Sequence, residues 1–150
     1  MIKPGKSIAN LIITATTAAL IFLWVYAAMS KVLNYEQSRM QMMNQVFPAV
    51  INAILLWVIP ITELFIAGLL LFSKSRIAGL ILSAMLLFLF SAYVLLVMLK
   101  VFDRIPCSCG GIIAKLSWGQ HLVFNLIFLG LALIGFMFFD KKGGDMGKDL

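Results

Sequence analysis

Four long apolar runs, separated by shorter polar stretches, organise this chain. They extend from about Ile8 to Met29, Ala49 to Phe72, Ile77 to Leu99 and His121 to Phe139. Each is roughly 19–24 residues, the length a helix needs to cross hydrocarbon at about 1.5 Å per residue. The pattern predicts an all-α, polytopic membrane protein: one four-helix bundle over residues 1–150, with a polar C-terminal tail over 140–150. The first run has Lys3 and Lys6 ahead of it and Ala27-Ala28 near its end, as a secretory signal would. Its apolar core is too long for one and three more runs follow, so it reads as a retained helix.

The polar connections are unequal. Ser73-Lys74-Ser75-Arg76 is a bare turn between antiparallel helices. Ser30 to Pro48 is longer and patterned, with Gln37, Gln41 and Gln45 recurring every four residues and Met40, Met43 and Phe47 on another face. It reads as an amphipathic helix at the interface or as a helical extension of the first run, in either case capping one end of the bundle. Its methionines also suit adaptable partner contacts. The last connection, Lys100 to Gln120, carries the chain's two cysteines.

Composition confirms the class. Hydrophobic residues make up 63% of the 150 and charged residues 12%, with a mean hydropathy of +1.06, well above soluble domains. The net charge of +6 is spread over loops and tails and forms no phosphate-tracking patch, which argues against nucleic-acid binding. With the N-terminus inside, the inner segments carry Lys3, Lys6, Lys74, Arg76, Lys141, Lys142 and Lys148. The outer ones carry Lys31, Arg39, Lys100, Arg104 and Lys115 over longer connections. This bias favours an N-in/C-in topology. It places the cysteines outside, on the oxidising face of a bacterial inner membrane.

The candidate chemistry begins with Cys107-Ser108-Cys109, set between Pro106 and Gly110-Gly111 in a built turn. Two cysteines one residue apart close a disulfide only if the intervening residue bends the chain, so a bond there is strained and labile. That suits exchange. Two unrelated thiols, or half of a metal site, are the alternatives. With one histidine the pair makes three ligands, where tetrahedral zinc usually wants four.

Polar residues at membrane depth need partners. Glu63, three residues after Pro60, is the only acidic residue inside a predicted span. It either handles protons or lines a polar wall, or holds the bundle in register by hydrogen bonding to a neighbouring helix. Pro60 removes the backbone bond to the Leu56 carbonyl and predicts a kink. Lys31 is a candidate partner. It lies near the end of the first run while Glu63 sits well into the second, so a direct pair requires the second run to begin later than Ala49. His121, the only histidine, shares a helical face with Trp118 and Asn125. His121 and Arg104 are candidate thiolate stabilisers near the cysteines; Trp118 anchoring at the headgroups is the structural alternative. Trp24, Tyr26 and Trp57 read as interface or packing residues.

Three elements together resemble the MauE/DoxX group of membrane proteins: Ala28-Met29-Ser30-Lys31-Val32-Leu33, Pro60-Ile61-Thr62-Glu63-Leu64, and Pro106-Cys107-Ser108-Cys109-Gly110-Gly111. Gly111 stands where the pattern leads one to expect Phe. The resemblance covers most of the chain and implies a four-helix fold associated with thiol redox chemistry. For MauE it implies a link to methylamine dehydrogenase maturation, in which a disulfide-rich subunit forms alongside a thioredoxin-like companion. The expected function is thiol–disulfide exchange between the Cys-x-Cys pair and a thioredoxin-like protein or secreted client. With no second cysteine pair to relay electrons, a membrane quinone between helices is the conjectured redox partner. The rival is a non-catalytic subunit that anchors or stabilises a larger membrane complex. A small-molecule carrier is a third reading, for which no pair of broken half-helices is evident.

Overall fold

In the computed structural model, residues 6–102 and 117–146 are described, with side chains over 7–102 and 117–139. Every regular element among them is an α-helix: α1 (Lys6–Leu33), α2 (Tyr35–Met43), α3 (Ala49–Leu71), α4 (Arg76–Met98) and α5 (Trp118–Met146). Four of these, all but α2, are long and apolar enough to cross a bilayer. Large apolar side chains such as Phe22, Val50, Phe65 and Phe88 face outward, as lipid requires and water would penalise. α1 and α4 each pack on both α3 and α5.

The core follows from a few close approaches. Leu20, Trp24, Ile66, Leu70, Leu80, Leu87 and Ala132 form the buried centre. The Trp24 indole N–H donates to the Ser83 hydroxyl at 2.9 Å, tying α1 to α4 across that centre. Two glycines let backbones approach, the usual way helices associate in lipid, where apolar burial gives no advantage. A Cβ on Gly79 would lie 2.9 Å from the Leu70 side chain, and one on Gly135 would lie 2.9 Å from Thr16 Cγ2.

Helix ends are set by local chemistry. The turn from α3 to α4 satisfies the last carbonyls of α3: the Ser75 hydroxyl donates to Leu69 O at 2.8 Å and Arg76 Nε to Leu70 O at 3.3 Å. α4 stops at a left-handed residue, Lys100 (φ 54°). The N–H groups of Lys100 and Val101 there turn back to Val97 O and Leu96 O, the two bonds of a Schellman motif. α5 opens with a capping box, since Ser117 N–H donates to Gln120 Oε1 and Gln120 N–H to Ser117 Oγ. The box starts α5 at Trp118, one turn ahead of the predicted run. At its other end α5 continues to Met146, into the stretch read as a polar tail.

α2 is a near-continuation of α1. Asn34 N–H donates to Ser30 O and Ser38 N–H to Asn34 O, so helical bonding carries across the joint. α2 packs chiefly on α3, with Tyr35 against Trp57 at 5.6 Å between ring centroids. Of the two readings for this stretch, the helical extension matches this arrangement.

Candidate functional site

The site begins with a buried ion pair. Lys31 Nζ lies 2.8 Å and 3.1 Å from the two carboxylate oxygens of Glu63 and donates a third bond, at 3.1 Å, to Ala27 O. All three ammonium protons therefore have acceptors. The Glu63 side chain is 1% exposed and that of Lys31 14%. α3 continues as a helix through Pro60.

The pair forms although α3 begins at Ala49, which corrects the sequence argument that it needs a later start. Glu63 lies fourteen residues into α3, about 21 Å along the axis. The nine residues of α2 cover about 14 Å of that distance, and the turn before Pro48 covers more. The first turns of α3 thus run beside α2, and Glu63 meets α1 at the level of Lys31.

Next to the pair lies a cavity of about 470 Å³, bounded by α1, α2, α3, α4 and α5. Its walls are mostly apolar, including Leu23, Trp24, Val58, Phe90, Val94 and Phe124. Polar groups enter at few points: Lys31, Glu63, Thr62, Gln45, Tyr93, His121 and Asn125. The Tyr93 hydroxyl donates to Gln45 Oε1. Phe47 and Phe102 flank the Tyr93 ring, each with centroids 6.0 Å away. Two buried nitrogens here, His121 Nδ1 and Asn125 Nδ2, have no hydrogen-bond partner among the described residues. Buried polar atoms are normally satisfied, so both need explaining.

The structure therefore brings together Lys31, Glu63, His121 and Asn125 around one space. Trp118, His121 and Asn125 all line the cavity, because the capping box fixes the first turn of α5 and they follow one another from there at helical spacing. Cys107, Cys109 and Arg104 lie outside the described residues. Sequence reasoning missed Tyr93, Ser83 and the part played by Gln45. Tyr93 was the available signal, a hydroxyl carried within an otherwise apolar run. Trp24, read as a packing residue, is both core and hydrogen-bonded.

Four apolar spans around an internal ion pair and a largely apolar cavity define a multi-pass membrane protein with a site inside the bundle. Within that class, the chain belongs to the MauE family: the family model described as methylamine utilisation protein MauE matches residues 9–138. The match names MauE and not the DoxX side of the resemblance. No curated protein and no solved structure matches the chain.

Proposed function

We propose that this MauE-family protein is a membrane accessory of thiol–disulfide exchange, acting on a thioredoxin-like partner or a secreted client. The observation that carries the proposal is the placement of the chain's only two cysteines, one residue apart, in the connection from α4 to α5. That connection leaves and rejoins the bundle through Phe102 and Ser117. Phe102 lies tilted against Tyr93, which lines the cavity, and Trp118 lines it too, so both ends of the connection stand near the cavity.

The exchange balances without a further reagent. One thiolate attacks a client disulfide and releases one client thiolate. The second cysteine then attacks the mixed disulfide and releases the other. The client gains two electrons and two protons, and Cys107 and Cys109 become a disulfide; the reverse sequence oxidises the client. The attacking cysteine is the one nearer Arg104, whose positive charge would favour its thiolate, or nearer the neutral His121 imidazole, which would take up the thiol proton. The excess of Lys and Arg on the opposite segments supports an N-in/C-in orientation in a bacterial cytoplasmic membrane, with the pair facing the periplasm.

The test is alkylation of Cys107 and Cys109 with a mass tag in native membranes, before and after reduction. Cycling predicts a mixed population, and of Cys107→Ser and Cys109→Ser the one that keeps the attacking cysteine should accumulate a mixed disulfide with a partner. A pair that stays fully reduced, or oxidised and resistant to mild reductant, would assign the protein to an anchoring role instead.

A further inference from the structure

We infer that the cavity is a binding site for a membrane quinone, entered from the lipid between α3 and α4. This goes beyond the exchange reading, which explains neither the cavity nor its unpartnered nitrogens, and depends on it only for its purpose.

The opening follows from how α3 and α4 diverge. At their hairpin Leu70 packs directly on Gly79. Farther along, Leu55, Val58, Ile59 and Thr62 of α3 turn toward the cavity, at the i, i+3, i+4, i+7 spacing of one helical face. Across from them are Leu86, Leu89, Phe90 and Tyr93 of α4. Val58 is 47% exposed and Leu89 59% exposed, yet both line the cavity. They form a mouth near the middle of two spans, where only lipid-dissolved molecules arrive.

The chemistry inside selects the head group. A phosphate needs positive charge, and the Lys31 ammonium is already fully occupied by Glu63 and Ala27 O. What remains unmet is neutral: the Asn125 amide N–H₂, on a residue 4% exposed, and His121 Nδ1. These groups suit carbonyl oxygens, with the imidazole donating in its Nδ1–H tautomer. Phe90, Phe124, Tyr93 and Trp118 supply aromatic walls for a flat ring. A neutral planar ring with carbonyl acceptors on an apolar tail is the chemistry of an isoprenoid quinone. The volume falls within the few hundred Å³ usual for ligand sites. Taken with the exchange reading in its client-oxidising direction, quinone also supplies the electron acceptor for repeated turnover: two electrons and two protons pass from the cysteine pair to the ring, giving disulfide and quinol.

The test uses full-length protein carrying Cys107→Ser, Cys109→Ser and Trp57→Phe, in phosphatidylcholine nanodiscs titrated with a short-chain ubiquinone. Trp24 and Trp118, both at the cavity, should show saturable fluorescence quenching. Asn125→Leu should weaken binding at least about tenfold, and Val58→Phe, which narrows the mouth without adding a fluorescent indole, should also weaken it. A short-chain menaquinone analogue should compete, and excess phosphatidic acid should not. Quenching that never saturates, that both variants leave unchanged, or that phosphatidic acid abolishes would overturn the assignment. Because the thiols are absent throughout, failure here leaves the exchange proposal to its own alkylation test.

Discussion

Lys31 has three ammonium protons and three acceptors, so Glu63 and Ala27 O together convert a cation at membrane depth into a closed unit. Removing one partner strands the other, a loss of about 3–5 kcal/mol for a buried pair. Glu63→Leu alone should therefore destabilise by that order, whereas Lys31→Met with Glu63→Leu should cost far less. Unfolding of each variant in detergent checks this, and a double variant as unstable as the singles would contradict it. The Trp24–Ser83 bond is smaller in scale. Ser83→Ala should cost about 0.6–1.7 kcal/mol, the range of interhelical hydrogen bonds in lipid, and should cost nothing further in a Trp24→Phe background. Neither partnership was fully legible in the sequence. Glu63 and Lys31 stood out as polar residues that lipid would reject, but which levels they occupy depends on a helix that hydropathy does not register. Ser83 is one small hydroxyl in an apolar run, and nothing local aims it at Trp24.

At the scale of helices, contact is governed by what is left out. Gly135 faces Thr16 Cγ2 at a distance no real Cβ tolerates. Gly135→Ala should destabilise by about 1–3 kcal/mol, the usual penalty of overpacking, and Thr16→Ser, which removes that methyl, should restore part of it. The same unfolding measurement reads both. Lys100 is the reverse case, a side chain where glycine is preferred. Left-handed backbone costs about 1–2 kcal/mol for an ordinary residue. Lys100→Gly should therefore raise stability by up to about 1 kcal/mol while leaving the end of α4 in place, measurable as a higher midpoint. The spans themselves were plain in the sequence, because about twenty consecutive apolar residues have few homes other than a bilayer. Their ends were less so. The capping box of Ser117 and Gln120 was in view, yet hydropathy starts the fourth run only at His121.

For the whole molecule, the proposed topology has four spans, with the start of α1 and the end of α5 on one side of the bilayer. In the proposed orientation that side is the cytoplasm, so a C-terminal green fluorescent fusion should be bright and a C-terminal alkaline phosphatase fusion inactive. The opposite pair of results would invert the orientation and put the cysteines in the cytosol. The cavity could not be foreseen, since it arises from the divergence of α3 and α4 and no residue announces it. Its position depends in turn on α2. That nine-residue segment behaves as a spacer of fixed length: it decides which turn of α3 stands beside the end of α1. Losing one residue from it would move the start of α3 by about 1.5 Å relative to α1, drawing the carboxylate off the level of the ammonium. A stretch that a hydropathy plot presents as a connection is therefore as intolerant of insertion and deletion as the spans it joins.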